Sequence, residues 1–174
     1  MRTILLPIAL GVVVAAPLSA ADGPPPPPVP PYDSTAEAPR FGRPGTLEDV
    51  TRTVEIRLYD TIAGSRLFEP RAISVETGET VRFRIVNVGT GRHEFFLGNL
   101  QEIAQHRDRM VRDPDMPHDG PNSISLERRQ SGEVIWTFDQ VGAVDYACFV
   151  PGHIDAGMRG LIVVLAPRKP KPRD

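Results

Sequence analysis

The sequence predicts an all-β sandwich carrying a short helical insert, and three observations predict it. Short runs alternate apolar and polar residues with a period of two. Turns containing glycine separate these runs at close intervals. One segment alone, Asn99 to Val111, shifts to helical spacing. Many short strands with Gly turns favour two packed sheets over any helical architecture.

The first strand is expected around Val54, Ile56 and Leu58, which alternate with Thr53, Glu55, Arg57 and Tyr59. Ala72 to Val75 and the alternation Val81, Phe83, Ile85 flank Glu76-Thr77-Gly78-Glu79, a hairpin signal in which Gly78 supplies a positive φ. Val86 and Val88 are apolar on the opposite parity, which predicts a bulge or a change of partner near Val86. His93 to Leu97 forms another short β run after Gly89 and Gly91. In the helical segment Leu100, Ile103, Ala104, Met110 and Val111 supply the apolar spacing. Asn99 and Glu102 make a capping box, and Pro114 and Pro117 prevent continuation. The β pattern returns at Ile124 and Leu126, then at Val134, Trp136 and Phe138, then at Val144, Tyr146 and Cys148. Leu161 to Leu165 reads as a last strand, apolar enough to be buried on both faces.

The chain has 174 residues, 40% hydrophobic and 24% charged, which suits one domain with extra length at its ends. Residues 1–21 read as a secretory signal. Arg2 precedes an apolar run too short to span a bilayer, and Ser19-Ala20-Ala21 offers a cleavage site. Residues 22–47 read as a proline-rich disordered linker, 48–166 as the folded domain, and 167–174 as a basic disordered tail. The expected location is the periplasm, with no membrane span after cleavage. A net charge of −2 supplies no basic field for nucleic acid.

In an oxidising compartment a lone cysteine has no internal disulfide partner. Cys148 is the only one, and it stands in VDYACFVPGHIDAGM with His153 five residues on and Met158 five beyond that. A thiolate, an imidazole and a thioether are soft and borderline ligands that select copper, and a His2Cys set with a weak axial Met describes a type 1 electron-transfer centre. The second histidine must come from elsewhere, and His93 in GRHEFFLG is the best candidate. One copper ion per domain is expected.

These residues resemble a known family. His93 in RHEFFLG, Trp136 and Phe138 in VIWTFDQVG, and YACFVPGHIDAGMRG are similar to the cupredoxins over about Val50 to Leu165. The resemblance is nearest to bacterial periplasmic cupredoxins associated with copper tolerance, which also carry a helical insert. It implies a Greek-key β-sandwich and the copper ligands His93, Cys148, His153 and Met158. Two departures stand out: Glu94 follows His93 where the best-known electron carriers often have Asn, and the gap from Cys148 to His153 is longer than in plastocyanin-type loops.

A second cluster, His106, Met110, Met116 and His118, admits two readings. It is a second copper site or a docking surface for a copper donor, or it is a solvated helix with one core Met and a structural loop. The second reading is preferred, since weak ligands without fixed geometry rarely make a site. The expected function is copper tolerance through a redox-active mononuclear Cu(I)/Cu(II) site. The alternative is a soluble periplasmic electron carrier serving a redox chain. A self-contained copper enzyme is not expected, because His-x-His pairs and a second loop cysteine are both missing. Expected partners are the copper ion and a periplasmic redox protein or copper donor.

Overall fold

The computed structural model describes residues 41–113 and 119–167. The expected signal, most of the proline-rich linker, the basic tail beyond residue 167, Met116 and His118 lie outside the described residues. In chain order the strands are β1 (Arg43–Pro44), β2 (Arg52–Asp60), β3 (Arg66–Glu69), β4 (Ala72–Glu76), β5 (Thr80–Asn87), β6 (His93–Gly98), β7 (Ser123–Leu126), β8 (Ser131–Thr137), β9 (Gly142–Ala147) and β10 (Arg159–Leu165). Among the described residues one α-helix, α1 (Leu100–Arg112), sits between β6 and β7. The strands form two five-stranded sheets, ordered β1-β8-β5-β2-β3 and β4-β10-β9-β6-β7. Pairing is antiparallel except for β2 with β5 and β4 with β10.

The period-two pattern places Ile56, Leu58, Val81, Phe83 and Ile85 of one sheet opposite Phe95, Leu97, Val144 and Tyr146 of the other. Aromatic rings close the gap between the sheets. Phe68 meets Phe95 and Tyr146 at centroid distances of 6.2 and 5.1 Å, and Phe83 meets Phe95 at 5.8 Å. Edge-on and tilted pairs of this kind add about 0.5–1.5 kcal/mol each beyond their burial.

Several sequence expectations are corrected. β4 and β5 do not form a hairpin, because they belong to different sheets. The Thr77 and Gly78 N–H groups donate to Leu165 and Phe138, at 2.8 and 2.7 Å. The turn is thereby tied to the ends of other strands and carries the chain from one sheet to the other. No bulge occurs near Val86: β5 keeps register with β2 through Asn87 and with β8 through Val86. The inward position that follows Ile85 is taken by a polar residue, Asn87, while Val88 lies exposed. β10 is buried on one face only, with Ile162 and Val164 inward and Leu161 and Leu165 outward. The folded body also starts earlier than Glu48. Phe41 stacks on Trp136 at 5.0 Å, and Arg43–Pro44 pairs with β8.

The helix begins where the capping box predicts. Asn99 Oδ1 accepts from the Gln101 and Glu102 N–H groups, and Glu102 Oε2 accepts from the Asn99 N–H at 2.8 Å. Its buried face matches the apolar set read from the sequence only in part, at Met110 and Ile103. Leu100 and Val111 are exposed, whereas His106 and Met110 are buried. His106 is therefore not solvated, and its partner is described below.

Close packing leaves no room for a side chain at Gly160. A Cβ on Gly160 would collide with the Tyr146 ring, whose hydroxyl donates to the Pro70 carbonyl at 2.6 Å. Gly160→Ala should lose about 1–3 kcal/mol, the usual cost of overpacking. Urea denaturation measures it, and an unchanged midpoint would show that the ring yields freely.

Candidate metal centre

Three side chains from two parts of the chain converge at one end of the sandwich. His93 opens β6, and Cys148 directly follows β9. His153 lies in the loop from β9 to β10, so sheet pairing of β6 with β9 brings the two segments together. Ligand atoms of His93, Cys148 and His153 all lie within 4.8 Å of one another. Cys148 Sγ is 3.3 Å from His153 Nδ1, and the two imidazole centroids are 4.9 Å apart. All three residues are buried, His93 and Cys148 with no exposure at all. Met158, the fourth residue expected here, is fully buried in the same core cluster as Cys148. Its carbonyl accepts from the Cys148 N–H at 3.2 Å, and its own N–H donates to the His153 carbonyl at 3.0 Å.

The ligand loop is shaped by its own hydrogen bonds. His153, Ala156 and Gly157 N–H groups donate to Val150, Gly152 and Ile154 carbonyls at 2.9, 3.0 and 3.0 Å. Gly152 and Gly157 have φ values of 80° and 88°, a region closed to most side chains. A chain of consecutive turns thus presents His153 inward while Pro151 and Asp155 face solvent.

His93 is held from behind. Its Nε2 lies 3.4 Å from Asp60 Oδ1, an ion-pair distance without hydrogen-bond geometry, and its buried Nδ1 has no protein partner. Asp60 Oδ2 accepts from the Thr90 N–H and hydroxyl at 2.7 and 2.8 Å. Burial alone would raise the Asp60 carboxyl, but the Thr90 donors and His93 outweigh it and hold the group below its usual range. The preceding loop is anchored by Asn87, fully buried. Its amide donates to the Gly91 and Leu126 carbonyls at 2.8 and 2.9 Å, and its oxygen accepts from the Gly89 N–H at 2.9 Å. Gly89 must lack a side chain, because a Cβ would stand 2.5 Å from His93 Nε2 and 2.8 Å from Asp60 Oδ2.

Electrostatics set the protonation of the metal-free site. Burial pushes the Cys148 thiol up to about 12, although backbone N–H groups of Glu94 and Val150 pull the other way. Burial first, and then His93, brings His153 down to about 4. His93 is lowered as well, by burial, against the opposing pull of Asp60. At neutral pH the centre is therefore a neutral thiol beside two neutral imidazoles. Cys148 and His153 share a hydrogen bond, but a buried imidazole nitrogen of His93 without a partner is an expensive arrangement in an apolar interior. A soft cation that takes the thiolate and both nitrogens would resolve it, so the donor set fits copper.

The second cluster splits. His106 and Met110 share the inner face of α1, and Met116 and His118 lie outside the described residues. His106 Nε2 is 3.1 Å from Glu94 Oε1, and its ring stacks on Phe96 at 4.2 Å and meets Phe149 at 4.7 Å. Met110 packs with Phe96, Ala147 and Phe149. Among the described residues, no second group of three His, Cys, Asp or Glu ligands converges. Asp60, Asn87 and the Glu94 side chain were not singled out from the sequence as parts of the site. Their partners lie far along the chain, and only the oddity of Glu94 after His93 was visible.

With this geometry in view, likeness to known proteins is informative. The model of the plastocyanin/azurin family of copper-binding proteins matches residues 58–165. A copper-resistant cuproprotein, CopI, of Rubrivivax gelatinosus is 40% identical over 124 residues, 71% of this chain and 73% of that protein. CopI of Pseudomonas aeruginosa is 33% identical over 160 residues, 75% of this chain and 86% of that protein. Among solved structures, auracyanin B matches with a TM-score of 0.57 at 27% identity, over 72% of this chain and 96% of that one.

The lowered histidines give a pH signature in the metal-free protein. An unfolded histidine takes its proton near 6.5, whereas folded His153 resists until about 4. Between those values the unfolded chain binds more protons, so stability is full above about 6.5 and falls as pH drops toward 4. Denaturant titrations of the metal-free protein across this window should show that loss, lessened in His153→Gln. A flat profile would contradict it.

Proposed function

The chain belongs to the plastocyanin/azurin family of copper-binding proteins, and on that premise we propose that it serves copper tolerance in the periplasm through a single redox-active centre. The ligands in this reading are the thiolate of Cys148, the imidazoles of His93 and His153, and the thioether of Met158 as the weak fourth donor. The observation that carries it is the convergence of three buried ligand atoms within 4.8 Å, in a body with no other cysteine. The name of the two relatives, copper-resistant cuproprotein, supports the physiological side.

Copper supplies a one-electron Cu(I)/Cu(II) couple. Each residue in this reading has a distinct task. Cys148 gives up its proton on binding, and the N–H of Glu94, 3.3 Å from the sulfur, helps to stabilise the resulting thiolate. His93 offers its unpartnered Nδ1 while Asp60 faces the far nitrogen, the carboxylate–imidazole arrangement that orients many metal-bound histidines. His153 turns inward from a loop tied by its own hydrogen bonds, and Met158 is buried in the same core cluster as Cys148. Anchoring by packed strands keeps the donors nearly fixed between oxidation states, so little reorganisation accompanies electron gain or loss. The same property would serve a protein that cycles copper to the less harmful oxidation state. In this reading the chain holds copper and is not a self-contained enzyme, because the sequence lacks the His-x-His pairs that further copper centres would need.

The expected outcome of removing the thiolate is sharp. Purified Cys148→Ser should lose the intense visible band of the copper-loaded protein, because sulfur-to-copper charge transfer is its source. A strain lacking the protein should grow normally without added copper and poorly with it, and Cys148→Ser should not restore growth. Normal growth in copper together with a respiratory defect would instead identify an electron carrier.

A further inference from the structure

We propose that Glu94, held by His106 of the helical insert, is a positioning residue that fixes the Cys148-Phe149 backbone and biases the bound metal toward its oxidised state. This rests on the assignment of Cys148 as the thiolate ligand. Glu94 has 1% exposure and His106 has 3%, so the pair is withdrawn from water. A carboxylate so placed is costly unless its oxygens are bonded. Each oxygen has a partner: Oε1 lies 3.1 Å from His106 Nε2, and Oε2 accepts from the Phe149 N–H at 3.2 Å. The backbone N–H of the same residue donates to Cys148 Sγ at 3.3 Å. One residue therefore grips the sulfur through its main chain and the next peptide through its side chain.

The far end of this clamp belongs to α1. His106 is sandwiched against Phe96 and Phe149, at 4.2 and 4.7 Å, which fixes the ring that holds Oε1. Arg107, its neighbour, donates to Asp155 in the ligand loop at 2.9 Å. The insert thus reaches the centre by two routes, and only the Glu94 route is buried.

A carboxylate this near a thiolate is more than a strut. Negative charge in a poorly screened interior favours the more positive of two metal states, here Cu(II) over Cu(I). His106 opposes that effect by drawing charge from Oε1. The two side chains consequently push the couple in opposite directions, which a purely structural role would not produce.

Chelator competition with Cu(I) and with Cu(II), on wild type and two variants, tests this. Wild type is measured first: failure to bind copper with a visible band would sink the ligand assignment itself and leave nothing to tune. Glu94→Gln keeps shape and bonding capacity but removes the charge. It should raise the Cu(I)-to-Cu(II) affinity ratio about tenfold, equivalent to ~59 mV in a one-electron couple. His106→Phe keeps the stacking but removes the imidazole contact to Oε1, and it should lower the ratio. Opposite shifts support the proposal. An unchanged ratio in Glu94→Gln, or shifts of the same sign, overturns it. Should Glu94→Gln not fold, His106→Phe decides alone: a lowered ratio supports the proposal and any other result refutes it.

Discussion

The organising constraint is the burial of three side chains able to hold a metal, which satisfy one another only in part. Cys148, His93 and His153 stand in an interior built from Phe, Tyr, Val and Ile, where a polar group without a partner is costly. Burial keeps the thiol protonated to about 12 and His153 neutral down to about 4. In this state Sγ and Nδ1 share one contact, and His93 Nδ1 has none. Binding a soft cation would convert an expense into the strongest local interaction, and would release a proton as it did so.

The rest of the fold holds that arrangement in place. β6 and β9 are neighbours, so His93 and Cys148 meet through regular strand pairing and not through a long loop. Asn87 ends β5 facing inward, and its three hydrogen bonds set the path of the chain into His93. Gly89 leaves room for the imidazole, and Asp60 stands behind it. On the opposite side α1 packs Met110 and His106 onto Phe96 and Phe149, so the residue after the thiol is wedged between helix and sheet. Rigidity around the centre thus has separate origins on its two flanks: polar ties near His93, aromatic packing near Cys148.

Much of this was legible in the chain itself. The candidate ligands in one loop, Cys148, His153 and Met158, stand at short spacings that any reading of the residues finds. The helix declares itself through Asn99 and Glu102. His93 was reached as the best of four histidines and through the resemblance of its RHEFFLG segment, since nothing local marks it as facing a loop more than fifty residues away. The misreadings share a cause. Turn chemistry at Gly78 says that the chain reverses, but not which sheet receives the next strand, so a corner between sheets looked like a hairpin. Apolar parity at Val86 and Val88 suggested a bulge because a buried Asn87 was not anticipated. The same blindness hid the Glu94–His106 pair: a polar residue reads as solvated until its partner, twelve positions away, is seen beside it.

Copper K-edge X-ray absorption of the loaded protein tests the central claim most directly. The account predicts one thiolate sulfur and two imidazole nitrogens in the inner shell, in both oxidation states, with little change in the shell between them. An inner shell of nitrogen and oxygen alone, without sulfur, would contradict it.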